Sequence, residues 1–266
     1  MRSGCLTLTD LAGSPLSAPQ VVYARLSTPG LGTDAEVTLL RQLHAMGSRL
    51  VNPIDAVLAC VNKFWHLQQL AQAGIPVPDT HTYTSADLHD VLDSGIPEPC
   101  VIKGVRGHRG RRVFLAPTRA MLRDVASSLA EDVPYLFQRY IAYSHARDLR
   151  VIVVDNRAVT AQLRTGNGDT LKSNLALGGT ATPCLGTYPA GEALAERAAH
   201  ALGLGVAGVD LLFEEDGTFT VCEVNANVTW QQSHDSAVLQ AIVAACQARL
   251  GTASPPVPLP ARSYTG

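Results

Sequence analysis

Residues 208–225 of the chain read GVDLLFEEDGTFTVCEVN, two short apolar segments joined at Asp216-Gly217. This dipeptide favours the positive-φ positions of a tight turn, so the stretch predicts an antiparallel hairpin with a two-residue loop. Counting outward from that loop places Asp210 directly opposite Glu223. Strand alternation then places Asn225 on the same face as Glu223.

The two carboxylates that face each other in this hairpin have two interpretations. Directly opposed side chains have Cβ atoms about 4.5–5.5 Å apart, so Asp210 and Glu223 repel each other. A bound cation removes that repulsion, and two carboxylates with the Asn225 amide oxygen are hard ligands that suit magnesium beside a nucleotide phosphate. The alternative is a solvated sheet face with ordinary surface acids. The hairpin alone favours neither.

The composition is that of an ordinary globular protein. Of the 266 residues, 46% are hydrophobic and 17% are charged, which is not typical of a disordered chain. The formal net charge of −2 provides no general attraction to nucleic acid or to an anionic membrane surface, so we expect neither as a partner.

Cysteine usage and hydropathy indicate the compartment. The six cysteines are scattered and form no Cys-x-x-Cys pair, which disfavours a zinc site or a disulfide framework and fits a reducing compartment. The N-terminal residues lack the apolar segment of a signal peptide, and no apolar run approaches the ~20 residues needed to cross a bilayer. We therefore expect a cytoplasmic protein.

A long helix and a glycine-rich segment precede the hairpin. Asn52-Pro53 predicts a helix start, with Asn52 as N-cap, and the helix continues to near Gly74 with Trp65 on its apolar stripe and Lys63 off it. Residues 104–112 join two predicted strands and open no helix, which excludes the dinucleotide fingerprint and the P-loop. The segment is either a flap whose amides close over phosphates or a solvated hairpin tip.

A second apolar hairpin over 149–164 turns around residues 155–157. A three-residue loop places four polar side chains on one face, whereas a two-residue loop divides them between faces, and the sequence leaves this register open. The four residues are Asp148, Arg150, Gln162 and Arg164. The Gly/Asn-rich stretch 165–182 is too long for a simple turn, and loops of this kind are often functional.

Seven segments in order resemble the ATP-grasp ligases. They are a lysine in a helix followed by AGIPVPDT, then VIKGVRGHRGRRV, FQRYI, DLRVIVV, KSNLALGG, AGVDLLF and CEVNAN. Within that superfamily the chain is most similar to the RimK-like glutamate ligases, over roughly residues 21–250. Each segment is a weak signal by itself, but seven in the right order form a strong one.

The resemblance implies an α/β (α+β) ATP-grasp fold that holds a nucleotide between two α+β lobes. The corresponding division of the chain is a shortened N-terminal region (1–60), a central lobe with the glycine-rich flap (61–137), a C-terminal lobe with the metal site (138–252) and a Pro-rich tail (253–266). Because relatives of this kind are often oligomeric, the resemblance also implies a homo-oligomer.

The resemblance also implies the ligand-binding residues. In the family, Lys63 and Lys103 match the lysines that contact ATP phosphates, and Gly107 and Gly110 belong to the flap that lies over them. The segment that meets adenine contains Gln138, Tyr140 and Ile141, and Asp148 matches an acid near the ribose. Three further residues face phosphates or the acyl phosphate: Arg150, Arg164 and Asn174. The magnesium ligands, with Mn²⁺ as an alternative ion, are the residues that the hairpin count had brought together: Asp210, Glu223 and Asn225.

The chain departs from the family pattern at three places. Arg139 stands where an acid is common, Lys172 and Leu177 replace arginines, and residues 227–230 read NVTW where Ser-Pro-Gly is usual. The residues for ATP chemistry are retained while those around the substrate differ, so the identity of the substrate does not carry over.

The resulting expectation is an ATP-dependent carboxylate–amine ligase that forms an amide through an acyl phosphate. Magnesium, Lys103 and the arginines would stabilise the developing charge, and closure of the flap would exclude water. The expected substrates are a small carboxylate and an amine, with glutamate as one of the joined amino acids. Addition of glutamate to a protein or carrier-protein terminus is one alternative, and a non-catalytic nucleotide-binding protein is another.

Overall fold

The computed structural model describes residues 1, 4–26, 34–84, 88–93, 95–107, 112–129, 134–166, 179–230 and 235–250. The strands of this part of the chain are β1 (Leu8–Thr9), β2 (Pro15–Leu16), β3 (Val21–Val22), β4 (Arg49–Leu50), β5 (Thr80–Thr82), β6 (Cys100–Gly104), β7 (Val113–Ala116), β8 (Tyr135–Arg139), β9 (Arg147–Val154), β10 (Arg157–Thr165), β11 (Thr180–Pro183), β12 (Val206–Phe213) and β13 (Phe219–Asn225). Its helices are α1 (Ala35–Ala45), α2 (Ile54–Val61), α3 (Lys63–Gln72), α4 (Leu88–Leu92), α5 (Arg119–Ala126), α6 (Pro189–Ala201) and α7 (Asp235–Arg249).

The larger sheet has five antiparallel strands in the order β11-β10-β9-β12-β13. Alternate residues of its central strands pack against α6, as in any sheet that is covered on one face. The apolar core on this side includes Leu149, Val151, Val209, Leu211, Ala195 and Ala198. On the other face α7 covers only one end of the strands, where Ile152 and Val206 pack against Val238 and Ile242. The remainder of that face is left for polar residues.

The smaller sheet has four antiparallel strands in the order β5-β8-β6-β7. Its core is formed with α4 and α5 and contains Leu92, Ile102, Leu122 and Phe137. The glycine-rich segment therefore joins two antiparallel strands, as predicted from the sequence, although residues 108–111 lie outside the described residues. Two antiparallel sheets with helices packed on them confirm the predicted α+β class.

The β12–β13 hairpin pairs Asp210 with Glu223, as predicted, but the loop length and the strand register that produce this pairing differ from the prediction. The loop contains three residues, 215–217, with Gly217 at φ 83°, so the two-residue loop was wrong. The register near this loop is therefore shifted by one residue. A β-bulge at Cys222 adds one residue to β13 and cancels the shift.

The β9–β10 hairpin shows the same combination of a turn and a bulge. Its loop has two residues, Asp155 and Asn156, and both have positive φ, as a tight hairpin turn requires. That loop alone would divide the four polar residues between the two faces. A bulge at Val159 shifts the register so that they form two directly opposed pairs, Gln162 with Arg150 and Arg164 with Asp148.

The predicted helix from Asn52 to near Gly74 is two helices in the structure. Asn62 has extended backbone (φ −103°, ψ 114°) and caps α3 by accepting hydrogen bonds from the amides of Phe64 and Trp65. An Asn side chain competes in this way with helical hydrogen bonding, so it ends one helix and begins the next. Trp65 is 47% exposed and does not belong to a core stripe.

Asn52 does not cap α2, contrary to the sequence prediction. Its buried side chain instead donates from Nδ2 to the carbonyls of Val206 (2.8 Å) and Ala226 (3.0 Å) and accepts from the Val206 amide (2.8 Å). These three hydrogen bonds anchor the N-terminal region on the five-stranded sheet. In the described part of the chain, no helix is both long and apolar enough to cross a membrane.

The anchoring role of Asn52 predicts an unusual substitution pattern. Asn52→Ala should lower the free energy of unfolding by about 3 kcal/mol, because three buried hydrogen bonds are lost and their backbone partners stay buried. Asn52→Ser should cost a similar amount, although serine is an equally good N-cap. Denaturant unfolding of both variants measures this. A serine variant as stable as the wild type would support the capping role instead.

Candidate functional site

Four polar residues form a row across the five-stranded sheet. Gln162 of β10 pairs with Arg150 of β9, Arg150 pairs with Asp210 of β12, and Asp210 pairs with Glu223 of β13. Directly opposed residues share a face, so all four lie on the side of the sheet opposite α6. The row lies on the part of this face that α7 leaves uncovered.

Asp210 is held by two arginines. Arg150 Nη1 lies 2.8 and 2.9 Å from the two Asp210 carboxylate oxygens, and Arg164 Nη2 lies 3.0 Å from Oδ1. Arg164 also donates to both oxygens of Asp148, at 2.6 and 2.8 Å. The four side chains are each 10–13% exposed, and their charges sum to zero.

The electrostatics of this network favour the ionised form of Asp210. Burial by itself would raise the pKa of Asp210, but the guanidinium groups of Arg150 and Arg164 outweigh it and hold the pKa below its usual value. Burial likewise opposes the charged form of Arg164, and Asp210 and Asp148 overcome this and raise its pKa. A buried charge network is tolerated because every charge in it is paired.

Gly208 provides the space for the Arg150 guanidinium. A Cβ atom at Gly208 would lie 2.5 Å from Arg150 Nη2 and 2.9 Å from Cζ, well inside van der Waals contact. Residues 208 and 210 are on the same face of β12, so the arginine lies over the glycine while it binds the aspartate.

Gly208→Ala should therefore destabilise the protein through Arg150. We expect the variant to lose about 1–3 kcal/mol of unfolding free energy, because a methyl group is forced against a paired guanidinium. In an Arg150→Gln background the same change should cost at least about 1 kcal/mol less. A double-mutant cycle by denaturant unfolding measures the coupling. Additive effects would show that Gly208 does not act through Arg150.

Glu223 is paired with the first lysine. Lys63 Nζ lies 3.0 Å from Glu223 Oε1 and donates to the Gly107 carbonyl at 3.2 Å, so it connects β13 with the start of the glycine-rich segment. Burial would raise the pKa of Glu223, but the Lys63 ammonium outweighs it, and the pKa lies below its usual value despite the nearby Asp210. α3 positions this lysine because it begins at Lys63 and packs against β13.

The second lysine reaches the neighbouring residue of β13. Lys103 Nζ donates to Gln138 Oε1 at 2.6 Å and lies 3.3 Å from Cys222 Sγ. Gln138 is 2% exposed and donates in turn to Thr80 Oγ1 at 2.9 Å. The bulge at Cys222 thus directs two successive residues, Cys222 and Glu223, toward the two lysines. Sequence reasoning missed Cys222 because strand alternation would place it on the other face.

The segment after β8 connects the two sheets. The Tyr140 amide donates to the Pro99 carbonyl at 3.3 Å, and the Ile141 carbonyl accepts from the Ser144 amide at 3.1 Å. The Tyr140 hydroxyl lies 2.7 Å from His145 Nδ1.

The remaining predicted residues have different outcomes. Asn225 ends β13, is partly buried and pairs with Gly208. Gly110 and Asn174 lie outside the described residues, as do Lys172 and Leu177.

Arg139, which departs from the family pattern, forms an ion pair. Its Nη2 atom lies 2.9 Å from Glu214 Oε1, the same oxygen that accepts from Thr220 Oγ1 at 2.8 Å. The pair therefore links the four-stranded sheet to the five-stranded sheet beside the 140–141 segment. Glu214 follows β12 and is distant from Arg139 in sequence, so only the packing of the two sheets reveals that the two residues are partners.

His66 is a buried imidazole beside the two lysines. It is 0% exposed, and neither ring nitrogen has a hydrogen-bond partner among the described residues. Burial lowers its pKa to about 4, with Glu223 opposing the shift and Lys63 and Lys103 adding to it. The sequence gives no signal for this residue, since an isolated histidine in a helix has many ordinary explanations.

The lowered pKa of His66 predicts a pH dependence of stability. The unfolded state takes up the proton first, so the contribution of His66 is fully present above pH 6.5 and is lost as the pH falls towards 4. The full effect is about 3 kcal/mol. His66→Leu should remove this part of the dependence, whereas exposed His200→Gln should retain it. Denaturant unfolding between pH 4 and 7 tests this, and identical slopes for wild type and His66→Leu would contradict it.

A family model for the RimK-like ATP-grasp domain matches residues 60–244 of the chain. The chain belongs to this family. The match begins just before Lys63 and extends through β13 into α7, so it contains every residue of the polar row.

Several curated relatives are similar over most of the chain. N-acetylaspartylglutamate synthase A of Mus musculus is 44% identical over 223 residues, which are 82% of this chain and 58% of that protein. Beta-citrylglutamate synthase B of Mus musculus is 44% identical over 82% of this chain and 57% of that protein. The chain thus spans less than three-fifths of these two relatives. A probable alpha-L-glutamate ligase of Xylella fastidiosa (strain M12) is 35% identical over 80% of this chain and 70% of that protein.

Solved structures share the fold at low sequence identity. The D-cycloserine synthetase DcsG has a TM-score of 0.66 at 20% identity and covers 86% of this chain and 84% of its own. The D-alanine-D-alanine ligase of Coxiella burnetii has a TM-score of 0.67 at 17% identity, over 91% of this chain and 72% of its own. The predicted ATP-grasp fold is therefore confirmed.

Proposed function

We propose that this protein is an ATP-dependent ligase that joins the amino group of glutamate to a small carboxylic acid. The observation that carries the proposal is the meeting of two opposed carboxylates, Asp210 and Glu223, with four cationic side chains in one partly buried cluster. The four are Lys63, Lys103, Arg150 and Arg164. Cations in this number suit a polyphosphate and the anion that is formed during phosphoryl transfer.

The nucleotide would extend from the segment after β8 to the polar row. The Tyr140 amide and the Ile141 carbonyl are already bonded within the protein, so adenine would meet the Tyr140 carbonyl and the Ile141 amide. Lys63 and Lys103 would bind the phosphates, beside Gly107, whose carbonyl accepts from Lys63. The resemblance assigns Gly110 to the same flap, and it lies outside the described residues. Asp148, which the resemblance places near the ribose, is engaged by Arg164, so we propose that it acts through that arginine.

The donor set of the site fits a divalent cation. Asp210, Glu223 and Asn225 supply hard oxygen ligands, the type that magnesium prefers and that manganese accepts. The two acids are neutralised by Arg150, Arg164 and Lys63. The bound ion would neutralise negative charge at the phosphates. Because it would also neutralise the two acids, their cationic partners would be free to bind anionic oxygens.

The chemistry follows from the poor leaving group of a carboxylate. A carboxylate oxygen of the acid attacks the γ-phosphorus of ATP, the bond to the β-phosphate oxygen breaks, and an acyl phosphate and ADP result. The neutral amine of glutamate then attacks the acyl carbon, phosphate leaves with the bonding electron pair, and the nitrogen loses a proton. Lys103, Arg150 and Arg164, with Asn174 as a further candidate, stabilise negative charge in both steps.

Glutamate is proposed as the amine because the names of the three relatives share it. N-acetylaspartylglutamate and beta-citrylglutamate are both amides of the glutamate nitrogen, and the third relative is named a glutamate ligase. The first two names describe small molecules, which favours a small acid over a protein terminus.

ADP release tests the proposal directly. With ATP and magnesium, we expect ADP formation that requires both glutamate and an acid from a panel of N-acylated amino acids and tricarboxylates, with the amide product identified by mass spectrometry. Glutamylation of proteins in an extract, without turnover of any small acid, would support the protein-terminus alternative. Nucleotide binding without glutamate-dependent ADP release under either condition would contradict ligase activity.

Substitution of the proposed metal ligands tests the role of the opposed carboxylates. Glu223→Gln and Asp210→Asn should each lower kcat at least about 100-fold, because each removes a charge from the site where transition-state charge is balanced. Manganese binding in the presence of ADP, followed by electron paramagnetic resonance, should weaken in parallel. Glu215→Gln, an exposed acid in the same hairpin, should leave both unchanged. Full activity in either site variant would contradict the metal assignment.

A further inference from the structure

The contacts along β13 follow a linear order. Thr220 binds Glu214 beside the 140–141 segment, Cys222 contacts the second lysine, Glu223 contacts the first, and Asn225 ends the strand. On the proposed function this is the order from adenine through phosphates to metal. The residues just beyond Asn225 therefore lie past the γ-phosphate end, where the acyl group and the incoming amine must meet.

The N-terminal region binds the chain at this end. Three consecutive residues after β13 form hydrogen bonds with residues 25–52. Asn52 Nδ2 donates to the Ala226 carbonyl (3.0 Å), and Asn227 Nδ2 donates to the Leu26 carbonyl. Arg25 Nη2 donates to the Val228 carbonyl (3.4 Å). Val228 is 0% exposed and packs in the apolar core with Val51. The departure from the family pattern at 227–230 is thus the surface on which the N-terminal segment lies.

Arg25 is an exposed cation among the described residues of this interface. Its Cζ atom lies over the Trp230 ring, 4.9 Å from the ring centroid, which is a cation–π contact. The residue is exposed, and no acidic side chain of the described residues forms an ion pair with it. A guanidinium carries five N–H groups, and among the described residues the Val228 carbonyl accepts from one of its nitrogens, so most of these groups remain available.

We propose that Arg25 binds a carboxylate of the amine substrate, which on the proposed function is glutamate. An amino acid that attacks an acyl phosphate carries at least one carboxylate near its reacting nitrogen, and glutamate carries two. A guanidinium whose orientation is fixed by Trp230 and the Val228 carbonyl matches a carboxylate with two parallel hydrogen bonds. Such a contact orients the nitrogen toward the acyl carbon and makes Arg25 a specificity-determining residue.

The experiment compares amines that differ by one carboxylate. Wild type and Arg25→Gln are assayed for ADP release with glutamate, with glutamine, which lacks the side-chain carboxylate, and with isoglutamine, which lacks the α-carboxylate. We expect Arg25→Gln to raise KM for glutamate on the order of 10- to 100-fold and to leave KM for ATP unchanged. For the one analogue that lacks the carboxylate bound by Arg25, the variant should differ from wild type by less than about twofold.

Controls separate recognition from a structural role. Arg25→Lys retains the charge and should recover part of the loss, whereas Arg41→Gln, at an exposed arginine of α1, should change nothing. Thermal unfolding of each variant reports the fold. An equal loss with all three amines would show that Arg25 only clamps Val228, and an unchanged KM for glutamate would show that it does not contact substrate. Either result overturns this inference alone, whereas a wild type without glutamate-dependent turnover overturns the proposed function and this inference together.

Discussion

Two carboxylates that oppose each other across adjacent strands are the constraint around which this structure is arranged. Asp210 and Glu223 are paired in the same sheet, and each would be costly to ionise there alone. Arg150 and Arg164 compensate the first, and Lys63 compensates the second. These partners come from β9, β10 and α3, and the acids themselves lie on β12 and β13, so one pair of acids connects five elements of the fold.

On the proposed function, the same pairing allows a nucleotide and its metal to bind together while the net charge of the site changes little. Every acid of the polar row has a cationic partner in the structure, and a polyphosphate with its metal would exchange those partners. The anion would take the lysines and arginines, and the metal would take the acids. On the proposed function, nucleotide and metal therefore stabilise each other in the site, because each relieves the charge that the other exposes.

Much of the site could be predicted from sequence, although one inference was right for incomplete reasons. The opposition of Asp210 and Glu223 holds because a three-residue loop and the bulge at Cys222 offset each other. The register of the β9–β10 hairpin could not be predicted, because a bulge at Val159 depends on packing against the whole sheet. Asn52 reads as a helix cap, but its partners are 154 and 174 residues away in sequence.

The sequence by itself determined the family, the two lysines, the acidic residues and the antiparallel hairpin that carries the acids. The family and the lysines follow from the resemblance carried by seven ordered segments, whereas the hairpin with its acids follows from strand alternation and turn chemistry, which are local. Only the tertiary structure decided that Cys222 and Glu223 both point to the lysines, that Gly208 makes room for Arg150, and that Arg25 lies over the Trp230 ring. Those features depend on bulges and on contacts between distant segments, whose energies exist only after the sheets have formed.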